Sequence, residues 1–190
     1  MPLLPLDTPR LRLRVLQPTD LDALVEYRND PGTARFQYWD LPYTRERAEK
    51  EFAEQAGLDD IGSNGWTQVA VEVRDPALTA HAALAGDLAV GLEHDGAIAT
   101  IGYTLAPAWR RRGLAREAVG ALVDALFTHT PAHRIVASLD PLNTASERLL
   151  VDLGFQREGI ARQAYPLRGE WVDDLIYSLV RSDRFGTGNS

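Results

Sequence analysis

The sequence predicts a mixed α/β fold: a strongly twisted mixed sheet of about seven strands with helices on both faces. Three observations support this class. Residues 97–155 show strand, turn, helix, strand and helix patterns in succession, the first third has an alternating strand pattern and two helices, and residues 159–180 read as a closing hairpin. The length of 190 residues suits one domain. We place this domain at residues 1–181 and a flexible tail at 182–190.

The N-terminal third predicts a strand, two helices and an aromatic loop between the helices. The stretch Leu11–Leu16 alternates apolar and charged residues, as a half-buried strand does. Pro18 opens a helix that continues to about Tyr27, and a second helix runs from Thr44 toward Gly57. The loop either lines the mouth of a substrate site or packs its rings onto the core. Its aromatic residues are Phe36, Tyr38, Trp39 and Tyr43.

The strands of the remaining chain are recognised by β-rich runs between turn signals. A long connection that begins at Asp75-Pro76 joins two of them, and the hairpin signal Asp95-Gly96 precedes a third, which ends in proline. The predicted strands are Thr67–Val73, Leu84–Leu92, Ala97–Pro107, His133–Leu139, Gly159–Tyr165 and Trp171–Val180.

Three consecutive arginines, Arg110–Arg112, stand where a strand gives way to a helix with an apolar stripe from Ala115 to Leu126. Cations are unfavourable at a helix N-terminus, which carries roughly +0.5 of an elementary charge. They become favourable when an anion binds the free amide groups there. Gly113 would let such a ligand approach the backbone closely. The pattern predicts either a polyphosphate-binding turn or an ordinary amphipathic helix with a solvated arginine cluster.

The residues of this turn, Arg110-Arg111-Arg112-Gly113-Leu114-Ala115, match the signature Gln/Arg-x-x-Gly-x-Gly/Ala. On that signature the chain resembles the GNAT superfamily of acyl-CoA-dependent N-acyltransferases. Further stretches, about half of the chain in the expected order, resemble the RimJ/RimL-like branch, the ribosomal-protein-alanine N-acetyltransferase type that acetylates protein N-termini. These stretches are Gly86-Asp87, Ile101-Gly102-Tyr103, the run from His133 through Asn143 and Ser146 to Gly154-Phe155, and Gly169-Glu170-Trp171 with Asp174 and Tyr177.

The resemblance implies acetyl-CoA as cosubstrate, with no metal and no covalent acyl-enzyme. It implies that the amide groups of the turn hold the pyrophosphate and that the strand ending near Leu105 pairs with the pantetheine arm. An amine then attacks the thioester directly, which needs a base for the amine and an acid for the thiolate. The implied cofactor-binding residues are Leu105, Arg110, Arg111, Arg112, Gly113, Leu114, Ala115, Asn143 and Ser146.

Ser146 and Asn143 each have two interpretations. The resemblance implies that Ser146 reaches the sulfur, as general acid or as a hydrogen-bond donor, and that Asn143 lies near the pantetheine. Local folding explains them as well, because Asn143 can cap the following helix. Thr144 and Glu147 also have the spacing of a capping box.

The general base is unassigned in the sequence. Many family members have a glutamate on the strand before the phosphate turn, where this chain has Thr100 and Tyr103. This departure keeps open a non-catalytic acyl-CoA-binding module. We interpret Tyr103 as a packed strand aromatic with a partnered hydroxyl. A water wire is the alternative to a single side chain. The candidate bases are Asp87, Glu93, His94, Glu170, Asp173 and Asp174.

Charge and composition narrow the partners. The net charge of −7 disfavours nucleic acid and suits a cationic acceptor, which we expect to be a peptide α-amine or, failing that, a polyamine, amino acid or aminoglycoside. The lack of cysteine excludes a disulfide framework and a thiolate metal site. The N-terminus is too interrupted by proline for a signal peptide, and no apolar run approaches the ~18 residues of a membrane helix. We therefore expect a cytoplasmic protein without a membrane partner, and we leave its oligomeric state open.

Overall fold

The computed structural model describes residues 2–62, 65–81 and 83–186. The strands of this part are β1 (Leu6–Asp7), β2 (Leu11–Val15), β3 (Trp66–Val73), β4 (Ala83–Glu93), β5 (Ile98–Leu105), β6 (Arg134–Leu139), β7 (Gln156–Leu167) and β8 (Glu170–Val180). Its helices are α1 (Leu21–Arg28), α2 (Pro31–Ala34), α3 (Arg45–Glu54), α4 (Leu114–His129), α5 (Thr144–Asp152) and α6 (Arg181–Phe185). The strands form one eight-stranded sheet in the order β1-β2-β3-β4-β5-β6-β8-β7.

The mixed α/β class is confirmed, and the number of strands and the end of the chain differ from expectation. The sheet has one strand more than the seven expected, because the two-residue β1 pairs with β2, with Leu6 opposite Leu13. Residues 181–185 form α6 where a flexible tail was expected from residue 182. An ion pair holds this helix, since the Arg184 guanidinium lies 2.7 Å from the Asp124 carboxylate of α4. Residues 187–190 lie outside the described part.

Two hydrophobic clusters cover the two faces of the sheet. The larger cluster contains α4 side chains and strand residues such as Val69 and Val71, and the smaller contains Ala70 with residues of α1 and α3. Successive residues of a strand point to opposite faces, which explains why these three neighbours divide between the clusters. No helix of the described residues is long and apolar enough to span a bilayer.

The strands β5 and β6 separate after a short parallel contact. They pair only over Ile98–Thr100 and Arg134–Val136, whereas β6 pairs with β8 along its whole length. The second half of β5, residues 101–105, therefore has an edge that faces a gap in the sheet. The helices α4 and α5 begin beside this gap, because each follows the C-terminal end of one of the two strands. The topology thus places one unpaired strand edge and two helix N-termini at the same end of the molecule.

Beside the gap, β4 and β5 approach each other unusually closely at Gly86. A Cβ atom at this position would lie 2.0 Å from the carbonyl oxygen of Thr104. Glycine is therefore required for the backbone contact that shapes β5 next to the gap.

The aromatic loop after α2 divides between the two roles that the sequence left open. Trp39 and Tyr43 are buried in the smaller cluster, where the Trp39 indole N–H donates to the Arg28 carbonyl oxygen at 3.0 Å. Tyr38 is exposed and Phe36 lines a cleft. Two of the four rings thus hold the loop on the core, and Phe36 lines the cleft.

Candidate active site

A cleft of about 610 Å³ opens at the C-terminal end of β5, beside the gap. Its walls come from α2 and the loop after it, the end of β5, the turn before α4, the first turn of α4, and one side of α5 along its length. All the predicted cofactor-binding residues line it except Arg112. Those that do are Leu105, Arg110, Arg111, Gly113, Leu114, Ala115, Asn143 and Ser146.

The turn before α4 presents a helix N-terminus without a side-chain cap. Gly113 is the N-cap residue, with a left-handed φ of 76°, and within the described residues the helix has no side-chain cap. The first amide groups of a helix have no partner within the helix, so their N–H groups remain available to a ligand. Arg111, with a φ of 61°, completes the bend of the turn. This arrangement fits an anion such as a pyrophosphate.

The three arginines of the turn have three different roles. The Arg110 guanidinium donates to the Leu105 carbonyl oxygen at 2.9 Å and to the Thr33 hydroxyl at 2.5 Å, which ties the end of β5 to α2. The Arg112 guanidinium stacks over the Trp109 ring, with 5.2 Å between its central carbon and the ring centroid. Arg111 is exposed and lines the cleft. Arg111 is thus the member of the triplet best placed to meet a phosphate.

Three further arginines surround the turn and were missed in the sequence. Arg10 donates to the Arg112 carbonyl oxygen at 2.9 Å and forms an ion pair with Glu117 of α4 at 2.7 Å. Arg116 and Arg148 line the cleft. Arg116 stands one residue after the recognised signature, and its place in the first turn of α4 could have identified it. For Arg10, which lies about 100 residues earlier in the chain, no sequence signal exists.

The start of α5 contains a helix cap and a hydroxyl group that is hydrogen-bonded to a second hydroxyl group on β5. The Asn143 side chain accepts a hydrogen bond from the Ser146 amide at 3.2 Å, which confirms its capping role. The Ser146 hydroxyl donates to the Tyr103 hydroxyl at 2.6 Å, and the Tyr103 hydroxyl donates to the Ser146 carbonyl oxygen at 3.2 Å. Burial raises the pKa of Tyr103 to about 12, although the Ser146 hydrogen bond acts to lower it. Tyr103 is therefore protonated at neutral pH and connected to Ser146.

The expected capping box of α5 does not form. Its N-cap is Asn143, one residue before Thr144. The Glu147 carboxylate accepts a hydrogen bond from the Tyr177 hydroxyl of β8 at 2.7 Å instead. The Glu147 side chain thus makes a tertiary contact instead of the capping contact that the local spacing predicted.

Asp87, one of the candidate bases, is buried in a charged network. It is 3% exposed and lies 3.0 Å from the Arg28 guanidinium, and it also accepts a hydrogen bond from the Tyr27 hydroxyl. Arg28 in turn contacts Glu51 at 3.0 Å and stacks against the Trp39 ring at 4.7 Å. These contacts join α1 and α3 to β4. Asp87 acts as a structural counter-ion, because its carboxylate is already occupied.

Three other candidate bases are placed elsewhere or engaged by the backbone. Glu93 and His94 flank the turn between β4 and β5, at the opposite end of β5 from the cleft. A strand of this length spans roughly 25 Å at 3.3 Å per residue, so neither side chain reaches the cleft. Asp173 accepts a hydrogen bond from the Gln163 amide at 2.8 Å and stabilises an irregular part of the β7–β8 hairpin.

The remaining candidates, Glu170 and Asp174, are on β8. Glu170 is exposed at the tip of the β7–β8 hairpin. Asp174 is half-buried, and its Oδ1 atom is buried without a hydrogen-bond partner in the described part of the chain. Burial raises the pKa of Asp174, the Ser138 hydroxyl acts to lower it, and the charge of Asp140 adds to the rise. Asp174 is therefore a carboxyl group with unused hydrogen-bonding capacity.

The tip of the β7–β8 hairpin holds the aromatic loop in place through Arg168. Its guanidinium donates to the carbonyl oxygens of Ala34 at 2.7 Å and Trp39 at 3.0 Å, with longer contacts to two further carbonyls of the loop. Phe36 and Gln37, which lie between these anchoring points, line the cleft. Arg168 thus fixes one wall of the cleft without facing it.

Comparison with known proteins agrees with this geometry. The acetyltransferase (GNAT) domain family matches residues 10–156. Over 183 residues the chain is 29% identical to the uncharacterized N-acetyltransferase p20 of Bacillus licheniformis, covering 94% of this chain and 97% of that protein. Over 83 residues it is 34% identical to the [ribosomal protein uS5]-alanine N-acetyltransferase of Escherichia coli, covering 44% of this chain and 43% of that enzyme.

Solved structures share the fold. Mycobacterium smegmatis RimJ in complex with CoA-disulfide superposes with a TM-score of 0.79 at 21% identity, covering 96% of this chain and 90% of that chain. Spermidine N-acetyltransferase from Vibrio cholerae in complex with CoA and spermine superposes with a TM-score of 0.78 at 19% identity, covering 94% and 99%. The family match over most of the chain, together with this fold, assigns the protein: it belongs to the acetyltransferase (GNAT) family and is an N-acetyltransferase.

Proposed function

We propose that the protein transfers an acetyl group from acetyl-CoA to the α-amine of a peptide or protein N-terminus. The observation that carries the proposal is the gap between β5 and β6, which ends at an uncapped helix N-terminus. The unpaired edge of residues 101–105 offers main-chain groups to the amide-containing pantetheine arm, and the turn at Gly113 offers amide groups to the pyrophosphate. The match to the uS5-alanine N-acetyltransferase supports a peptide acceptor.

The residues around the gap supply the steps that acetyl transfer needs. The turn before α4 binds the phosphates, with Arg111 as the exposed positive charge. The acceptor nitrogen attacks the thioester carbon, the C–N bond forms, and the C–S bond breaks. A proton must then reach the departing sulfur, and the Ser146 hydroxyl provides it or hydrogen-bonds the thiolate. Tyr103 supports this step because it shares a hydrogen bond with Ser146 and is itself protonated at neutral pH.

A small amine is the second candidate acceptor. The structure of the Vibrio cholerae spermidine N-acetyltransferase, which has the same fold, contains spermine. The region beside the cleft also contains acidic residues, including Asp140 and Asp174, that suit a cation. Polyamines therefore form the comparison set for any test with peptides.

The test is the release of free CoA from acetyl-CoA in the presence of peptides with varied N-terminal residues or, separately, of small amines. The chain contains no cysteine, so a thiol reagent detects CoA alone. Release with peptides, and none with N-terminally blocked peptides, supports the proposal. Release with small amines only favours the second candidate. If neither set releases CoA although acetyl-CoA binds tightly, the result would contradict both candidate acceptor classes.

A separate experiment tests the hydrogen-bonded hydroxyl groups of Ser146 and Tyr103. Ser146→Ala is expected to lower kcat by about 10²-fold, in the range of a lost proton donor, with acetyl-CoA affinity changed little. Thr144→Ala is the matched control, because it removes an exposed hydroxyl from the same helix start. Equal kcat values for the two variants would show that the Ser146 hydroxyl takes no part in the reaction.

A further inference from the structure

A cluster of hydroxyl and carboxyl groups lies on the sheet face opposite the larger core, at the C-terminal end of β6. The Tyr38 hydroxyl lies 3.3 Å from the Ser138 hydroxyl, and the Tyr38 and Tyr165 ring centroids are 4.7 Å apart. Asp174 points to the same face, because its neighbour Leu175 belongs to the larger core on the other face. We call Tyr38, Ser138, Tyr165 and Asp174 the tyrosine–acid cluster.

The chain leaves the carboxylate of this cluster incompletely satisfied. Oδ1 of Asp174 is buried and has no hydrogen-bond partner among the residues that the structure describes. The charged group that acts most on Asp174 is Asp140, a second carboxylate, and burial raises the pKa of the neighbouring Tyr165 hydroxyl. A buried polar atom without a partner costs free energy and is uncommon in folded proteins. Its surroundings indicate that the missing partner is a donor, and a cationic one.

The position of the cluster relative to the gap identifies that donor. Ser138 is on β6, which borders the gap, and Asp174 is on β8, the next strand. Neighbouring strands lie about 4.8 Å apart, so the Asp174 carboxyl group is within roughly one side-chain length of the gap. Tyr38 belongs to the loop whose residues Phe36 and Gln37 line the cleft. A group bound at the cluster therefore lies next to the loop that forms one wall of the cleft.

We propose that the tyrosine–acid cluster binds the ammonium group of the acceptor and that Asp174 takes the proton that the ammonium loses before it attacks. This inference rests on the proposed acetyl transfer. The ammonium supplies the donor that Asp174 lacks, and Tyr38, which is exposed, forms the solvent-facing side of the cluster.

The proton balance of the reaction follows from this assignment. One proton moves from the R–NH₃⁺ group to the Asp174 carboxylate, which becomes a neutral carboxyl group and later releases the proton to water. The neutral nitrogen then forms the C–N bond, and the C–S bond breaks. The Ser146 hydroxyl gives its proton to the departing sulfur, and the second proton of the nitrogen passes through water to Ser146 and restores its hydroxyl group. The products are the acetylated amine and CoA–SH.

Burial favours this use of Asp174. It raises the pKa of the carboxyl group, and Asp140 adds to the rise. A raised pKa brings a carboxylate closer to the pKa of the amine that it must deprotonate, which makes it a better base. Tyr165, Tyr38 and Asp140 are the titratable groups that face Asp174, and burial raises the pKa of Tyr165 well beyond neutral pH. Asp174 is thus the carboxyl group of the cluster, and burial raises its pKa.

The test compares Asp174→Asn with the wild type, using an alanyl peptide and spermidine as acceptors. We expect kcat/KM at pH 7 to fall about 10²-fold or more with the better acceptor, while the affinity for acetyl-CoA is unchanged. The pH profile is the more specific readout. In the wild type the acid limb of kcat/KM follows Asp174 and lies below the pKa of the acceptor ammonium. In the variant, the acid limb of kcat/KM is expected to move up to the pKa of the acceptor ammonium group, about 7.7–8.0 for an α-amine.

Two controls separate chemistry from folding. Glu170→Gln removes the same charge from the exposed start of the same strand and is expected to leave kcat/KM and the pH profile unchanged. Asp174→Glu is expected to recover part of the lost activity. The pKa of Asp174 is higher in the folded than in the unfolded state, so ionisation opposes folding. Asp174→Asn is therefore expected to melt no lower than the wild type at pH 7.

The outcomes distinguish this inference from the proposed function. An active wild type together with an Asp174→Asn variant of unchanged pH profile overturns the role of Asp174 and leaves acetyl transfer intact. A wild type that binds acetyl-CoA but acetylates neither acceptor class overturns the proposed function and this inference with it. Should Asp174→Asn fail to fold, Tyr165→Phe provides the second test, with an expected rise in the acceptor KM at unchanged acetyl-CoA affinity.

Discussion

Replacing Asp87 with asparagine tests the buried charge network directly. The side chains of Asp87 and Arg28 are each 5% exposed and lie 3.0 Å apart. Asp87→Asn keeps the shape of the side chain and removes its charge, which leaves the buried Arg28 guanidinium with Glu51 as its remaining ion-pair partner. Removing one member of a buried ion pair costs about 3–5 kcal/mol, because the other charge stays buried without full compensation.

This cost converts into a large change in melting temperature. A domain of 150–250 residues loses about 2–4 °C per kcal/mol, so Asp87→Asn is expected to lower the melting temperature by about 6–20 °C. Folded domains have total free energies of unfolding of about 5–15 kcal/mol, so the variant is expected to keep only part of its free energy of unfolding. Thermal melting followed by circular dichroism, with urea unfolding at 25 °C for the free energy, measures both quantities.

An exposed ion pair of the same kind provides the control. Asp22 contacts the Arg45 guanidinium, and the Asp22 side chain is 91% exposed. Surface pairs contribute about 0–1 kcal/mol, so Asp22→Asn is expected to melt close to the wild type. The double variant Arg28→Met with Asp87→Leu is expected to regain much of the loss, because apolar residues of similar volume replace a buried ion pair at little cost.

The result that refutes this reasoning is an Asp87→Asn variant that melts within 2 °C of Asp22→Asn. In that case the Arg28 charge is solvated or compensated in the variant, and Asp87 has no structural role. The same variant also tests Asp87 as a base. Assayed well below its melting temperature, it is expected to keep the pH profile of the wild type.

Three other predictions concern the turn, the hairpin and the pH dependence of folding. Gly113→Val is expected to weaken acetyl-CoA binding at least tenfold in calorimetry, because a β-branched residue opposes a φ of 76° and blocks the amide groups; Gly57→Val, at a φ of 88° with open space around it, is the matched control. Arg168→Ala is expected to raise the acceptor KM several-fold at constant acetyl-CoA affinity, while Arg162→Ala, also exposed on the same hairpin, leaves it unchanged. Burial acts to raise the pKa of Glu117, but hydrogen bonds from Thr8 and Arg10 outweigh it and lower the pKa. Glu117→Gln is therefore expected to lower the melting temperature at pH 7, above the ordinary pKa of 4.5, and to match the wild type once the pH falls below the folded-state pKa.

Each of these predictions has a contrary result. Equal losses of acetyl-CoA affinity in both glycine variants would assign the effect to backbone strain alone. A change in acetyl-CoA affinity without a change in acceptor KM would show that Arg168 supports cofactor binding and not acceptor binding. A melting-temperature difference for Glu117→Gln that is the same at pH 7 and pH 3 would exclude an electrostatic origin.

The local parts of the site were predictable from short stretches of sequence. The helix start at Gly113, the cap at Asn143 and the strand before the turn all depend on hydrogen bonds and side-chain periodicity within a few residues. The family signature lies in such a stretch, which explains why the family and the mixed α/β class could be predicted and then confirmed. Ser146 was predicted from the resemblance, and the structure places it in the lining of the cleft.

The carboxylates could not be sorted from the sequence, because their roles depend on strand register and on contacts between distant segments. Asp87 is engaged by Arg28, 59 residues earlier, and Glu93 is displaced to the far end of the sheet by the antiparallel pairing of β4 and β5. Asp174 is placed beside the gap by the pairing of β8 with β6. Local patterns determine where a helix begins. Which charges become buried, paired or left open depends on the packing of segments that the sequence keeps far apart.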